Sequence, residues 1–305
     1  MGVNSVNFEE DGRVTVPLFA LSENALEQLA EGPENVPEEI LQRLSRNRAI
    51  RFRIAVNSKT PESILALMVK EIRDNLEDME NKLAKNPCEG DRRIMAERRR
   101  DDFRILEDIA KNPASSRKII RDLMSFPELH LSITASPGTP IEFLDEIYKY
   151  RKNHLAFWRE GPYSLYDLCE CLAANPHSSD QLLESVLKDV DFNEDHCAAF
   201  PKDRALQKRV VNRVANNPGT PTKLLCAIVD YYHNNDHAVS LAILNPNRSA
   251  EMLQKIYEDG SGLPVLALIA ACPETPEEIL TKLSENKNAT ISRIARETLK
   301  SKQSQ

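Results

Sequence analysis

Short apolar segments alternate along the chain with a recurring polar phrase. In its fullest form the phrase consists of an apolar residue, a small residue, any residue, Asn, Pro, any residue, Ser or Thr, and Pro or Ser. Two further residues and then an apolar pair follow. The copies begin at Ile54, Leu83, Ile109, Ile133, Leu172, Val214, Ala242 and Ile269. Because a phrase that returns along a chain is the sequence signature of repeat proteins, the pattern predicts a series of stacked supersecondary units.

The interval between the copies is nearly constant. Measured at the proline position, from Ser58 to Pro273, five of the seven spacings lie between 24 and 29 residues. The other two spacings are 39 and 42 residues, which indicates an insertion in each of two repeats. A partial copy at residues 36–41 is predicted to start the array, and residues 283–299 are predicted to close it as a C-terminal cap.

Each position of the phrase has a local physical reason. Proline disfavours helix at the residue before it, so Asn-Pro is expected to end an apolar helix. The Thr is expected to cap the next helix, and Thr275 with Glu278 has the pattern of a capping box. Small residues at one position would let neighbouring units approach closely: Ala55, Ala84, Ala110, Ala173, Ala215 and Ala270. Each period therefore predicts one clear helix after the Thr-Pro and a shorter helix before the Asn-Pro.

No single unit of this kind can bury its own apolar face, so the units are expected to stack as an all-α solenoid over residues 35–305. The alternation of apolar helix, Asn-Pro-x-Thr-Pro and Leu-containing helix resembles the leucine-rich repeat variant proteins of bacteria. The resemblance implies a right-handed α-solenoid, here of roughly eight or nine helical repeats with two longer, inserted repeats. HEAT-type solenoids are the nearest alternative class. Some members of the family hold an iron–sulfur centre on an N-terminal cysteine cluster, but no cysteine precedes Cys88, so no cofactor is expected.

The composition and the absence of known motifs exclude several classes of function. The chain has 9 Gly and 18 Pro among 305 residues, and neither a dinucleotide-binding fingerprint nor a phosphate-binding loop occurs. No signature of a catalytic Ser or Cys nucleophile is present, so a protein that is not an enzyme is expected. The first residues lack the features of a signal peptide and no long apolar run follows, so a cytoplasmic location without membrane contact is expected.

The negative charge is concentrated at the N-terminus. The net charge is −7, but residues 1–39 alone hold nine acidic residues and one basic residue. We expect residues 1–34 to form a separate acidic segment, with a short hairpin at Asp11-Gly12 followed by a helix. This segment is a candidate autoinhibitory arm for a basic groove.

Two sets of arginines are candidate binding residues. Arg53, Arg213 and Arg293 occupy one position of the repeat, four residues before the Asn or its equivalent, and such residues line one face of a solenoid. Six further arginines lie within thirteen residues: Arg92, Arg93, Arg98, Arg99, Arg100 and Arg104. Both sets suit phosphates or an acidic protein surface. The alternative is an exposed surface of local ion pairs, since carboxylates are interleaved with the cluster at helical spacing.

The first insertion is aromatic and holds the only Trp of the chain. Trp158, Tyr163 and Tyr166 are its candidate binding residues, because aromatic side chains beside arginines suit a protein interface or a base-stacking surface. A local mini-core between non-ideal repeats is the alternative.

Two motifs resemble metal sites but lack the residues or context that such sites need. The second insertion contains Asp-x-Asp-x-Asn-x-Asp from Asp189, but Glu194 stands where a calcium loop needs Gly. His233 and His237 are four residues apart but lack the context of a zinc site, so no metal is expected.

Two hypotheses for the function follow. The first is a non-enzymatic scaffold that binds a protein partner on the concave face of the solenoid, with the aromatic insertion and the arginine cluster as specificity elements. The second is a nucleic-acid-binding solenoid of the kind seen in HEAT-like DNA glycosylases that repair alkylated bases. The net negative charge and the interruption of the arginine row by other residue types favour the first.

Overall fold

All regular secondary structure in the described part of the chain is helical. The computed structural model describes residue 36 and residues 38–85, 88–154, 165–191, 204–232 and 235–304. Within these ranges the chain forms sixteen α-helices, one short 3-10 helix at Pro127–Leu129 and no strand, which confirms the predicted all-α class. The acidic segment 1–34 lies outside the described residues, and so does its predicted hairpin.

In chain order the helices are α1 (Glu38–Ser45), α2 (Arg48–Val56), α3 (Glu62–Leu83), α4 (Glu89–Lys111), α5 (Arg117–Leu123), α6 (His130–Ala135), α7 (Ile141–Asn153) and α8 (Leu165–Ala174). They continue with α9 (Asp180–Asp191), α10 (Arg204–Asn216), α11 (Thr222–Tyr231), α12 (Asp236–Leu244), α13 (Ala250–Glu258), α14 (Leu263–Ala271), α15 (Glu277–Ser284) and α16 (Ala289–Gln303).

The helices belong to two compact units, which divide after Phe143, near the start of α7. In the first unit α2 packs on α4 and α4 on α6, while α1 packs on α3 and α3 on α5. In the second unit α8, α10, α12, α14 and α16 contact one another in that order, and α11 packs on α13. Within each unit, helices that precede an Asn-Pro therefore contact the corresponding helices of the neighbouring copies.

The small residue of the phrase lies in the packed interior. Ala55, Ala110, Ala173, Ala215 and Ala270 are each at most 1% exposed. A methyl group at this position lets adjacent helices approach closely, as expected from the sequence. In the second unit Ala270 joins the Leu, Ile and Val side chains of α11 to α16 in one continuous apolar core.

The residue at the Asn position ends its helix in an extended conformation. Asn112, Ser136, Asn245 and Cys272 have ψ angles between 122° and 137°, and a proline follows each of them. Clash with the proline ring disfavours the helical ψ of the preceding residue, so the helix stops there. This confirms the predicted helix ends.

The asparagine side chain connects one copy of the phrase to an earlier copy. Asn217 Nδ2 donates to the backbone carbonyls of Ala173 and Asn175, both at 2.8 Å. Its Oδ1 accepts a hydrogen bond of 2.8 Å from the backbone N–H two residues later. Asn245 makes the equivalent bonds to its preceding copy, whereas Asn112 makes them to Ala55 and Asn57, past the copy at Leu83. The amide thus adds a donor to carbonyl groups at the end of an earlier helix.

The hydroxyl of the following Thr or Ser binds backward along the chain. Thr220 Oγ1 donates to the Val214 carbonyl at 2.5 Å, and Thr275 Oγ1 donates to the Ile269 carbonyl at 2.6 Å. The same bond to the carbonyl six residues earlier is made by Thr60, Ser115, Thr139 and Ser178. The hydroxyl therefore closes the preceding helix.

The predicted capping box at Thr275 is consequently wrong. The N-cap residue of α15 is Pro276, and no side chain caps this helix. In copies that have Ser at the position of that proline, the Ser caps the helix, as in Ser249, whose Oγ accepts from the N–H of Met252 at 3.2 Å. The Thr hydroxyl is directed to the carbonyl of Ile269 in the previous helix, which also accepts a hydrogen bond of 3.2 Å from the N–H of Cys272.

The copy of the phrase at Leu83 has no helix pair of its own. Helix α3 has 22 residues and α4 has 23, and α4 alone spans the chain from Glu89 to the Asn112 turn. The segment between the copies at Leu83 and Ile109 therefore forms one long helix, where two short helices were predicted. Ala84, unlike the other small residues, is exposed at the end of α3.

Candidate interaction surface

Arg213 lies on the exposed side of α10, beside α8. Its Nε donates to Glu170 Oε1 at 3.1 Å, and Arg209, one turn earlier, binds the other oxygen of the same carboxylate. Arg209 also lies 3.7 Å from Asp167. The positive charge of this predicted binding residue is thus compensated by carboxylates of the neighbouring helix.

These side chains line a shallow polar groove of about 310 Å³ formed by α8, α10 and α12. We call it the α10 groove, and its lining consists of Glu170, Arg209, Asn212, Arg213, Asn216, His237 and Leu241. Asn216 and His237 are exposed. An amide side chain can donate and accept at once, so Asn216 can pair with the main chain of an extended peptide.

An apolar surface adjoins the groove on α12 and α14. We call it the α12–α14 apolar face, and it comprises Leu241, Leu244, Leu268 and Ala271. Leu244 is 59% exposed, Ala271 is exposed, and Leu241 and Leu268 are half-buried. Because Leu241 also lines the α10 groove, the polar and apolar surfaces are continuous.

Helix α14 explains why this face is unusual. Its nine residues, LPVLALIAA, include no polar side chain, although Leu263 and Ala271 are exposed. A helix that is apolar on all sides is normally buried on all sides. Its exposed side is therefore a candidate interaction surface.

The arginine cluster lies on α4, mainly on an exposed part of the helix. Arg99 lies 3.4 Å from Glu80 of α3 and 3.3 Å from Glu128. Arg93 lies 3.8 Å from Glu97 on its own helix. These contacts agree with the alternative of a helix with local ion pairs, each of which contributes at most about 1 kcal/mol when exposed.

The other arginines of the cluster are also exposed. The Arg104 guanidinium lies 5.0 Å from the centre of the Phe52 ring on α2. The remaining members, Arg92, Arg98 and Arg100, are exposed on α4. The cluster therefore surrounds the helix instead of forming one aligned row.

The predicted row of phased arginines is interrupted. Arg53 is half-buried on α2 in the first unit, whereas Arg213 and Arg293 lie on α10 and α16 of the second. Leu241 and Leu268 occupy the intervening positions on α12 and α14. Arg293 itself pairs with Glu297 at 2.8 Å.

The register predicted for Arg293 is wrong by one residue. Thr298 takes the place of the asparagine, since its Oγ1 donates to the Ala270 carbonyl at 2.7 Å as Asn245 Nδ2 does to Ala215. Arg293 thus lies five residues before that position, not four. No Asn remained in the last copy to indicate the register.

Only one of the predicted aromatic binding residues lies in the described part of the chain. Trp158 and Tyr163 fall outside it. Tyr166 is only 5% exposed, so its side chain is packed in the core and is not presented at the surface. Tyr148, from the same aromatic run, is buried as well. Both residues agree with the alternative of a local mini-core.

A buried charged cluster forms around Arg151, and no sequence motif predicted it. Arg151, at the end of α7, is 2% exposed and binds the carboxylate of Asp189, near the end of α9. Its guanidinium carbon lies 4.4 Å from the centre of the Tyr148 ring, and its Nη1 lies 3.2 Å from Cys169 Sγ. Burial raises the pKa of the Cys169 thiol to about 11. The cluster joins the last turns of the two helices that precede the insertions.

Two further properties concern the described ranges alone. Within them, no group of three His, Cys, Asp or Glu side chains could hold a metal ion. His237 lines the α10 groove, while His233 lies outside these ranges. None of the helices described is both long enough and apolar enough to cross a lipid bilayer.

Comparison with family models and with curated proteins finds no match. Among solved structures, the chain is similar to an engineered protein from the Northeast Structural Genomics Consortium, with 13% identity and a TM-score of 0.39. The similarity covers 95% of this chain and 76% of the engineered one.

Proposed function

We propose that this protein is a non-enzymatic helical-repeat scaffold that binds a protein partner on the concave face of a right-handed α-solenoid. The contacts between every second helix in each unit support a solenoid of roughly eight or nine repeats, of the leucine-rich repeat variant type. The amide bonds of Asn112, Asn217 and Asn245 support it too, since each repeats the same link to an earlier copy.

The observation that carries the binding role is the exposed apolar side of α14. Its Leu and Ala side chains continue on α12 through Leu241 and Leu244. Covering such a surface releases about 25 cal/mol for each Å² of apolar area removed from water. This gain requires a partner with an apolar surface of its own.

The partner contributes an amphipathic segment. Its apolar side chains cover the α12–α14 apolar face, and its polar groups lie in the α10 groove beside it. There Asn216 pairs with main-chain amide or carbonyl groups, and the Glu170–Arg213 ion pair orients charged side chains. Specificity then comes mainly from the groove and affinity mainly from the apolar face.

Nucleic-acid binding has weaker support. Arg209 and Arg213 both bind Glu170, so a phosphate would have to compete with a carboxylate that is already in place. The α12–α14 apolar face also has no counterpart in a phosphate backbone. A nucleic-acid complex would be recognised by an affinity that falls linearly, on logarithmic axes, with salt concentration.

The test is selection of binding peptides from a displayed random library. We expect the chain to select peptides with apolar residues at helical or alternating spacing. A variant with Leu244→Lys and Ala271→Lys should lose those peptides by at least about tenfold in affinity, since two charges on the face oppose apolar burial. Both positions are exposed, so the substitutions leave the core intact.

Tyr231→Lys is the matched control. Tyr231 is 74% exposed at the end of α11, outside the α12–α14 apolar face. This variant should bind the selected peptides as the unchanged chain does. Equal binding by the Leu244→Lys/Ala271→Lys variant, or a selection that yields no peptide, would refute the proposal. Binding of single- or double-stranded DNA at low salt would favour the alternative.

A further inference from the structure

Helix α4 carries a row of exposed cations along one side. Arg93, Arg100, Arg104 and Lys111 are exposed and are separated by seven, four and seven residues. At about 3.6 residues per turn, this spacing places them close to one line of the helix, over a length of about 27 Å. The buried side chains of α4 lie on the opposite side. The clustered arginines surround the helix, but three of them thus share a line with Lys111.

Few carboxylates compete for this row. Arg93 lies 3.8 Å from Glu97, whereas no salt bridge engages the other three members within the ranges that the structure describes. The charge of Asp108, which is partly buried, interacts with Arg104 and Lys111. Although the net charge of the chain is −7, α2 and α4 together hold ten basic and seven acidic side chains. The row is therefore a positive surface on a negatively charged chain.

Apolar side chains border the row where α2 lies beside α4. Phe52 is 38% exposed, and Val56, one turn later on α2, is 47% exposed. The Arg104 guanidinium lies 5.0 Å from the centre of the Phe52 ring, so the cations and the apolar side chains adjoin. The result is a mixed surface, with charge on α4 and exposed apolar area on α2.

The first half of α4 extends past the start of α2. Arg48, the first residue of α2, pairs with Asp101 at 2.5 Å. Ile94 lies about 10 Å earlier along the axis of α4, beyond this contact, and is 50% exposed. An exposed apolar side chain is therefore present near Arg93 as well, at the start of the row.

We propose that this surface binds an acidic amphipathic helix of a protein partner. Carboxylates with the spacing of the row lie opposite its cations, and apolar side chains on the adjoining side of the partner helix cover Phe52 and Val56. Hydrogen bonds between guanidinium and carboxylate groups are charge-assisted and give the orientation. A phosphate backbone would leave the apolar side chains uncovered, which favours a protein over a nucleic acid. We call the site the α2–α4 basic surface, and it comprises Phe52, Val56, Arg93, Arg100, Arg104 and Lys111.

The probe is an alanine-based helical peptide whose glutamates repeat the spacing of the row and whose leucines lie on one adjoining side. Fluorescence anisotropy of the labelled peptide measures its binding to the full chain at low salt. The same peptide with glutamine in place of each glutamate should bind at least about tenfold more weakly, because it lacks the charges. Equal binding of the two peptides, or no binding of the acidic peptide at millimolar concentrations, would overturn the proposal.

Two charge reversals on α4 form a matched pair. Arg100 lies within the row, whereas Arg98 is exposed on another side of the helix. Because both substitutions change the net charge equally, a difference between them reflects position. Arg100→Glu should weaken binding of the acidic peptide by about tenfold, and Arg98→Glu by less than about twofold. Equal losses in the two variants would contradict the assignment to the row.

The apolar part of the surface is tested at Val56. Val56→Ser removes exposed apolar area and should weaken binding of the peptide with leucines by about threefold. A peptide with alanine at the leucine positions should bind both proteins equally. A loss of the same size with the two peptides would show that the leucines do not contact Val56.

Two other occupants give different results. A single-stranded DNA that binds as tightly as the acidic peptide, and loses as much with Arg100→Glu, would overturn the assignment to a protein. A full-length variant with the acidic side chains of residues 1–34 changed to amides tests the acidic segment of the chain itself. We expect unchanged affinity for the peptide in this variant. A gain of about tenfold would show that the segment competes for the surface, and would overturn the assignment to a partner.

The α2–α4 basic surface belongs to the first unit, whereas the α12–α14 apolar face belongs to the second. None of these measurements depends on the α12–α14 apolar face, and the Leu244→Lys/Ala271→Lys variant should bind the acidic peptide as the unchanged chain does. A loss in that variant would contradict the assignment to the first unit. This inference and the proposed function can therefore fail separately.

Discussion

Asn245 Nδ2 donates a hydrogen bond of 2.8 Å to the backbone carbonyl of Asn217, the equivalent residue of the preceding copy. Asn217 in turn donates to the carbonyl of Asn175, so three successive asparagines are linked by side chain to main chain. All three are buried. The links run along the edge of the second unit where the helices that precede Asn-Pro end.

Loss of one asparagine should destabilise the fold. Asn217→Ala removes the side-chain donor to the carbonyls of Ala173 and Asn175, of which the second still accepts from the N–H of Ser178, so we expect the free energy of unfolding to fall by about 1–3 kcal/mol. Asn217→Asp should cost more, because a carboxylate would face the same two carbonyl oxygens. Urea denaturation measures both. The exposed neighbour Asn216→Ala is the control, and an equal cost there would show that the links are unimportant.

The direction of the Thr275 hydroxyl gives a second prediction. Thr275→Val removes the donor to the Ile269 carbonyl and should lower the free energy of unfolding by about 1 kcal/mol. Thr275→Ser should retain most of the stability. Thr275→Asp distinguishes the two roles, since Asp is a good N-cap but cannot donate when ionised. Thermal unfolding should show destabilisation by Asp, whereas a stabilised Asp variant would support the capping role.

The buried pair of Arg151 and Asp189 gives a third prediction. Arg151→Met leaves the Asp189 carboxylate without its cation, and we expect a loss of about 3 kcal/mol or more. The double variant Arg151→Met/Asp189→Leu should recover part of the loss, because no uncompensated charge remains. Lys188→Met, which removes an exposed ion pair with Glu184, is the control and should change stability by less than about 0.5 kcal/mol. Chemical denaturation of the unchanged chain and the three variants tests this prediction, and an Arg151→Met variant without cost would contradict it.

The Asp108 carboxyl gives a prediction for the pH dependence of stability. Burial raises the pKa of Asp108, and its Oδ2 is buried without a hydrogen-bond partner. The folded state therefore binds a proton more readily than the unfolded state, so ionisation above the folded pKa costs stability. Asp108→Asn should stabilise the protein at pH 7 by about 0.5–1 kcal/mol, a range reduced because the carboxyl is only partly buried.

The advantage of Asp108→Asn should shrink as the pH falls through the raised pKa of Asp108 and should be lost below the ordinary aspartate value near 3.8. Thermal unfolding between pH 3 and pH 7 measures it. Asp101→Asn on the same helix is the control: Asp101 is exposed and paired with Arg48 at 2.5 Å, so no gain is expected. A constant difference across this range would show that the protonation of Asp108 is not its cause.

Helix ends were predictable because their causes are local. At Ile109–Asn112 the order apolar, small, any residue, Asn, followed by Pro113, is enough to stop a helix sterically. The burial of Ala110 followed from the same phrase. At Leu83 helix α3 also ends as the phrase predicts, but the expected break between two short helices before Asn112 is missing, and α4 continues as one helix.

The candidate site was less predictable because it depends on which helices are neighbours. Arg213 was identified by its position in the repeat, but the carboxylate that binds it belongs to Glu170, 43 residues earlier. The α12–α14 apolar face was overlooked because its leucines counted only as interruptions of the arginine row. The signal was present in α14, whose nine consecutive non-polar residues exceed what one buried face requires.

The sequence by itself determined where the helices stop and which small residues are buried, because proline sterics and side-chain size act within a few residues. Tertiary structure alone decided that Asn217 donates to Ala173 and Asn175, that Arg151 pairs with Asp189, and that Leu244 and Leu263 remain exposed. The physical reason is that a side chain can pair only with groups that helix packing brings within contact distance. A donor such as Asn217 meets its acceptors only after helices distant in sequence have come into contact.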